Sequence, residues 1–549
     1  MQDARQVSLA LDEIAGLLEF AEASRFKVNA YRRAAEIVNT LGDELGPLVE
    51  QNRLDELEGI GSTLSRQIEE LWNSGTSGVL SRLQSELPEG AAELMQVPGL
   101  TPRRIRALQA AIGIRSAEEL RAACEAGRVR GVPGFGEKTE AKLRASVERW
   151  LTRDQTTPEP MLLARALELA ALLEKRLLGA AERVALTGEL RRGLETVRKI
   201  EFVIAGDLEA ALSRVAGLRQ VLRVDVPGAR AFLTEGVVLE LHAAQASNFG
   251  SVLFRTTGDE AHVAAITPAP GVFASEAELY RSAGCFEIPP ELRSGRAALE
   301  RAREDDFSDL VTLDDLQGMV HCHTTYSDGK NSVTEMALAA HALGMKYITI
   351  TDHSPAAHYA RGVTLDRLKE QWDEIARVSE EVPIRILRGT ESDILADGQL
   401  DFPDSILEQF DVVIASIHAR HRLDRAAMTA RLERVLALPV FKIWGHALGR
   451  ILNHRAPIDC DVLRVLDALA GSRGAVEINA DPHRLDLAPE WIPEARARRI
   501  PFVISADAHS TKGMGVLRYG VTMARRGGVR KREVLNTESA ETFSKVVKP

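Results

Sequence analysis

Residues 321–329 read HCHTTYSDG. Two histidines flank one cysteine, and Asp328 follows five positions after His323. In an extended segment side chains alternate in direction, so His321 and His323 face the same way. Two imidazoles on one face suit a metal better than a packed core, because each brings ring nitrogens that need partners. More candidates follow downstream. They are His353 in YITITDHS, Glu391 in ILRGTESD, His418 in VVIASIHAR, His446 in FKIWGHALGR, and Asp507 with His509 in FVISADAHS. Of the 13 histidines, 11 lie at or beyond position 321. Histidine mixed with carboxylate suits Zn, Mn or Fe, and the absence of cysteine from the set argues against a closed structural zinc site. Nine donors exceed what one ion can use, so two or three ions sharing a carboxylate are expected. Paired ions clamp both oxygens of an in-line phosphoryl displacement, which points to hydrolysis of a phosphate ester.

Such donors need a scaffold that gathers them. Seven apolar, strand-like runs occur at 319–320, 347–350, 384–387, 412–415, 441–444, 475–478 and 502–504, separated by helix-length stretches. The alternation predicts a barrel-like parallel α/β domain with its chemistry at the C-terminal strand ends. Six of the seven runs lead into an imidazole or carboxylate.

The rest of the chain reads differently. At 549 residues, 45% apolar and 27% charged, it can bury three or four cores and is no disordered protein. It has no run of about 18 apolar residues and no basic-then-apolar leader, so a soluble, cytoplasmic protein without a membrane partner is expected. Cys124, Cys285, Cys322 and Cys460 form no CxxC pair and read as reduced thiols. A net charge of −10 excludes a globally basic nucleic-acid binder. The charge is uneven, however: residues 1–100 hold 8 Lys+Arg and 17 Asp+Glu, whereas residues 101–150 hold 11 and 6. Three apolar-glycine units recur, GIGSTLSRQI (59–68), VPGLTPRRIRAL (97–108) and VPGFGEKTEAKL (132–143). Each places a glycine turn before a helix, whose N-terminus can hold a phosphate. Gly59, Gly61, Gly99, Gly134 and Gly136, with Arg103, Arg104 and Lys138, are therefore candidate contacts to a DNA backbone. Residues 152–160 and 294–318 read as linkers around a mixed α+β domain.

In order and spacing, the downstream motifs resemble those of PHP (polymerase and histidinol phosphatase) domains across residues 319–549. The resemblance implies a distorted barrel of seven βα units with a trinuclear site. It groups His321, His323, Glu391 and Asp507 around one ion, and Glu391, His418 and His446 around a second. Asp328, His353 and His509 surround the third. His323 and Asp507 are then catalytic, and Arg450 and Arg420 are placed to meet a substrate phosphate.

Residues 1–295 resemble the bacterial family X DNA polymerases through FKVNAYRRAA, the three glycine units, GELRRG, FGSVLFRTTGDEAH and IPPELR. The implied fold is multidomain α and α/β. It has a helical DNA-binding domain at 1–88, helix-hairpin-helix fingers at 89–155, a nucleotidyltransferase-like α+β palm at 156–300 and the PHP domain at 315–549. The palm departs from the family pattern. The Asp-x-Asp pair aligns with Lys199 and Glu201, and the third aspartate with Glu240. Lys199 puts a cation where an ion should sit, and a glutamate carries its oxygens one methylene further out than Mg²⁺ geometry wants. Glu189 stands in the Gly-Ser turn before Arg191, where its charge repels a triphosphate. Neither Mg²⁺ nor a nucleotide triphosphate is expected there. The lysine used by sugar-phosphate lyases aligns with Thr63 or Gln67, so no lyase is expected. The expected activity is a metal-dependent phosphoesterase on DNA, a 3′→5′ exonuclease or abasic-site nuclease. The alternatives are a gap-filling polymerase with an associated nuclease and a non-catalytic DNA-binding scaffold.

Overall fold

The computed structural model describes every residue except 1–3, 22, 42–44, 52, 58, 89, 96, 98–99, 153–159, 219, 268, 420 and 422. The chain divides into two compact units, residues 1–157 and 158–549.

The described residues of the first unit are helical. Apolar residues at helical spacing put Leu11, Ile14, Leu18, Tyr31, Ala35 and Val38 into one core between the helices Ala4–Phe20 and Arg25–Leu41. A second core forms around Ile105, Leu108, Leu120 and Val147. The glycine units do lead into helices. Gly61 caps Ser62–Ser74, Thr101 caps Pro102–Ile112 by accepting from the Arg104 amide, and Gly136 immediately precedes Glu137–Thr152. Gly59 and Gly134 turn the chain at φ of +98° and +88°, a region glycine enters without strain.

Besides a short antiparallel pair, Met161–Leu162 with Thr196–Val197, the second unit contains two large sheets. The smaller has strands in the order 181–187, 199–206, 238–244, 230–233, 221–225, with one parallel pair, Lys199–Gly206 against Val238–Ala244. The helices Leu163–Leu177 and Leu208–Ala216 pack their apolar stripes on it. This is the nucleotidyltransferase-like palm.

The larger sheet holds all seven predicted strands, every neighbouring pair parallel. We number them β1 (Gly318–Cys322), β2 (Tyr347–Ile350), β3 (Arg385–Asp393), β4 (Val412–Ser416), β5 (Lys442–Trp444), β6 (Gly474–Asn479) and β7 (Phe502–Ser505). Their spatial order follows the chain. The bridge between Cys322 and Ala508 and the bond from the His323 amide to the Ala508 carbonyl (2.9 Å) bring the first strand end to the last, nearly closing a barrel. Phe543 and Val547 of the last helix, Ala540–Val547, join a core with Val320, Val412, Ile443, Ala475 and Val503. That plug lies toward the strands' N-terminal halves and leaves the C-terminal ends for polar residues.

Two local expectations change. The segment at His321 is not plainly extended, because the β1–β2 register shifts between Met319 and Cys322 and His321 has φ +64°. Its ring still lies beside that of His323, with centroids 5.2 Å apart. The third run is longer than its apolar part. It pairs with β2 through Arg388 and with β4 from Gly389 onward, so Glu391 sits inside a strand.

One buried histidine of the palm region gives a pH test. His262 bonds the Tyr280 hydroxyl at 2.8 Å, and burial, then Arg293, pushes its pKa down to about 4. Unfolded, it titrates near 6.5, so between these values the unfolded chain binds the extra proton. Stability is therefore lost as pH falls from about 6.5 to about 4, by up to about 3 kcal/mol for this group. Urea midpoints at pH 7 and pH 5 should differ less in His262→Gln than in the wild type.

Candidate metal centre

Glu391 stands at the middle of the barrel mouth and is 1% exposed. Its Oε1 lies 2.8 Å from His446 Nε2, 3.2 Å from His418 Nε2 and 3.4 Å from His321 Nε2. Its Oε2 lies 3.0 Å from His353 Nδ1 and 3.7 Å from His323 Nε2. Asp507 faces the same space, 3.4 Å from His323 Nε2 and 3.6 Å from His321 Nε2. Asp328 closes the far side, 3.4 Å from His509 Nε2, 3.6 Å from His353 Nε2 and 3.8 Å from His323 Nδ1. All nine predicted donors thus meet in one place.

Three groups bring donor atoms within 4.8 Å of one another: His323, Asp328, His353 and His509; His321, His323 and Asp507; and His353, Glu391 and His418. His323 and His353 each belong to two groups, one ring nitrogen per side. The backbone is held in the left-handed region at His321, His446 (φ +24°) and Asp507 (φ +49°). Such conformations cost of order 1–3 kcal/mol each in a non-glycine residue and persist where the surroundings over-determine them.

The residues fit divalent cations. His321 Nε2, both ring nitrogens of His323 and His353 Nδ1 are buried and make no hydrogen bond. Buried polar atoms without partners are costly, and cations would supply the missing contacts. Burial pushes His323 down to about 3, helped by His509 and His353, which leaves one ring nitrogen unprotonated and able to bind an ion. Burial opposes charge at Glu391 and Asp507, yet His418, His353 and His321 hold the first, and His321 and His323 the second, well below the usual carboxylate range. Metal ions replace the protons that otherwise settle on such histidines.

Outer groups orient the inner ones. Glu477 of β6 bonds His321 Nδ1 at 2.6 Å and accepts from the His446 amide and from Ser505 Oγ. Asp393 lies 3.2 Å from His418 Nδ1. His509 Nδ1 lies 3.0 Å from the Asp507 carbonyl oxygen. Asp352, fully buried among Thr324, Ser327 and Gln371, fixes the loop that carries Asp328. Sequence reading missed Glu477, although a carboxylate inside the apolar run GAVEIN was its signal.

Arg450 is a correction. Its Nε donates to the Arg484 carbonyl at 2.9 Å, and its Nη2 to the Leu485 carbonyl and to Glu195 at 3.2 Å. The guanidinium braces the loop after β6 and meets a palm carboxylate, so it is not aimed at a phosphate. Arg484 is the arginine at the cluster, with Nε 3.8 Å from Asp507 Oδ2. Arg420 lies outside the described residues.

The palm does not fit an ion. Lys199 Nζ bonds Glu240 at 2.8 Å, and Arg230 approaches the same carboxylate at 3.2 Å. Glu201 bonds His242 Nε2 at 3.1 Å, and its Oε2 would lie 2.1 Å from any β-carbon added at Gly188. Arg191 is forked onto Glu276 at 2.6 and 3.0 Å, and Glu276 also meets the buried Arg293. Glu189 is half-buried. Among the described residues, all three groups able to hold an ion lie in the barrel.

Of the helix-hairpin residues, Gly61, Gly134 and Gly136 are exposed, with open space at the position of a β-carbon. Gly59 is exposed but packed beside Arg33 and Ile37. Arg104 lies over the Phe135 ring at 5.9 Å. Gly99 lies outside the described residues, as do the side chains of Arg103 and Lys138.

Family models match the same regions: a PHP domain at 320–481, a helix-hairpin-helix domain at 3–77 and a SAM-like helix-hairpin-helix tandem at 91–149. The DNA polymerase/3′-5′ exonuclease PolX of Bacillus subtilis (strain 168) is 32% identical, over 98% of this chain and 98% of its own. A probable phosphatase of Thermoanaerobacter sp. (strain X514) is 27% identical over 40% of this chain and 89% of its own. A probable histidinol-phosphatase of Deinococcus radiodurans is 27% identical over 36% and 87%. The short relatives match a part of the chain no larger than the barrel, whereas the first match runs end to end. With donor clusters suited to divalent ions in a PHP barrel, helix-hairpin-helix modules in front and an end-to-end relative, the chain belongs to the bacterial family X DNA polymerases that carry a PHP phosphoesterase domain.

Proposed function

We propose that the chain trims DNA in repair, as a metal-dependent 3′→5′ exonuclease or abasic-site nuclease, and that its palm synthesises nothing. The carrying observation is the contrast between two sites in one compact unit. Eight other donors converge around Glu391 with unpartnered ring nitrogens among them, while the palm carboxylates are already matched by Lys199, Arg230 and His242. His321, His323, Asp328, His353, Glu391, His418, His446, Asp507 and His509 would hold two or three ions of Mn, Zn or Fe. Bound there, the ions supply Lewis acidity at phosphorus and lower the pKa of water. The protein's part is placement. Glu477 and Asp393 orient His321 and His418, and Arg484 reaches a phosphate oxygen beside Asp507. The hairpin turns at Gly59, Gly61, Gly134 and Gly136 grip the DNA backbone without reading bases, and Gly99, Arg103, Arg104 and Lys138 are further candidate contacts.

The four-part division at 1–88, 89–155, 156–300 and 315–549 belongs to this reading. Two separate cores in the first unit support its first boundary. Among the described residues no helix is long and apolar enough to cross a membrane. A cytoplasmic site of action is part of the proposal.

Two experiments test it. Mn²⁺-dependent release of nucleotides from a 3′-labelled single strand should fall by about two orders of magnitude or more in His323→Ala and Asp507→Ala, the scale of several kcal/mol of lost charge stabilisation. The same preparation should not extend a primer across a one-nucleotide gap, and extension abolished by Glu201→Ala would refute the inactive palm. Secondly, Glu477→Gln should weaken Mn²⁺ binding, measured by calorimetry, about 10- to 100-fold. Unchanged affinity would mean that the contact to His321 has no bearing on the metal.

A further inference from the structure

Tyr359 is 67% exposed, and its ring still touches the metal centre. The centroid lies 5.8 Å from that of His353 and 5.9 Å from that of His418, at interplanar angles of 65° and 60°. An open aromatic face beside the reacting site is unusual, because a ring of that size normally finds cover.

The ring rests on a rigid mount. Tyr359 sits in the one-turn helix His358–Ala360, flanked by the buried Ala357 and Ala360. The Ala356 amide donates to Asp401 at 2.6 Å, and the Val363 amide to the His353 carbonyl at 2.8 Å. Arg361 donates to the Ser327 carbonyl at 2.8 Å, which ties this turn to the loop of Asp328. A tyrosine on such a mount has only two side-chain torsions left to order, so a ligand that stacks on it gains contact at little entropic cost.

We propose that Tyr359 is the stacking platform for an unpaired nucleobase of the nucleotide whose phosphate occupies the metal centre. The inference rests on the phosphoesterase reading above and deepens it by naming what the site selects. A base inside a duplex has both faces covered by its neighbours and has no face to offer. An unpaired terminal base does, and aromatic stacking tolerates any of the four. The platform therefore takes an end base of any identity.

The test uses the full Mn²⁺-loaded chain and two single strands, one ending in a normal nucleotide and one in an abasic residue. Tyr359→Ala should raise KM for the normal strand about tenfold, within the range of base–aromatic stacking, with kcat unchanged. KM for the abasic-ended strand should be the same in both proteins, and Tyr359→Phe should behave as wild type on both strands. With 2-aminopurine at the 3′ end of a phosphorothioate strand, fluorescence should be quenched on binding to wild type and to Tyr359→Phe, and not to Tyr359→Ala. Equal loss on both strands, or quenching that survives in Tyr359→Ala, would overturn the platform. A wild type that hydrolyses neither strand would instead overturn the nuclease reading and this inference with it.

Discussion

A buried carboxylate in the barrel exists only because imidazoles surround it. Glu391 is 1% exposed and has His446, His418, His321 and His353 within 3.4 Å. A lone carboxylate at that depth would take up a proton rather than remain charged. The histidines in turn need it, since each brings buried ring nitrogens that require partners. Neither partner is stable there without the other, and removing one from such a set costs far more than the pair contributes. The positive φ at His321, His446 and Asp507 belongs to the same constraint, because these backbones turn to aim their side chains inward. Glu477 completes the arrangement from beneath, holding the His321 ring and the His446 amide with one carboxylate.

The palm obeys the same electrostatics with the opposite result. There the carboxylates have found cations within the protein. Glu240 is shared by Lys199 and Arg230, and Glu276 by Arg191 and Arg293. Each pairing neutralises a charge that an ion or a triphosphate would otherwise need. The Glu201–Glu240 register across the parallel strands is what brings two like charges side by side, and it demands compensation. Lys199 and Arg230 provide it.

Much of this was legible in the sequence. The seven apolar runs are all strands of the barrel, because a parallel sheet covered on both faces leaves a plain apolar signature. The nine donors were visible because they follow those runs. What stayed hidden depends on distant partners. Arg450 reads as a phosphate-binding arginine until Glu195, 255 residues earlier, and the carbonyls of Arg484 and Leu485 are seen to occupy it. Glu477 reads as a stray charge in a strand until His321 is placed against it, 156 residues away. Tyr359 lies in a loop whose path no periodicity predicts. Backbone conformation was equally hidden: nothing in HCHTTYSDG distinguishes an extended His321 from one at φ +64°.

The Glu195 contact also ties the palm to the barrel. Glu195 sits in the turn before the short strand Thr196–Val197, its carbonyl bonded by the Leu163 amide at 2.9 Å. Its carboxylate meets both Arg450 and Arg526, two guanidiniums of the barrel with little exposure. Burial raises the cost of its charge, but Arg526 and Arg450 outweigh that and hold it below the usual range. Without the palm, two cations of the barrel would lose their common counter-ion. The loop braced by Arg450 is the one that carries Arg484 to Asp507. One apolar cluster continues from Leu163 and Phe202 of the palm through Val311 to Met319 and Ile504 of the barrel. The five- and seven-stranded sheets are thus halves of one folding unit, and the palm supplies a counter-charge to the loop beside the metal-binding cluster.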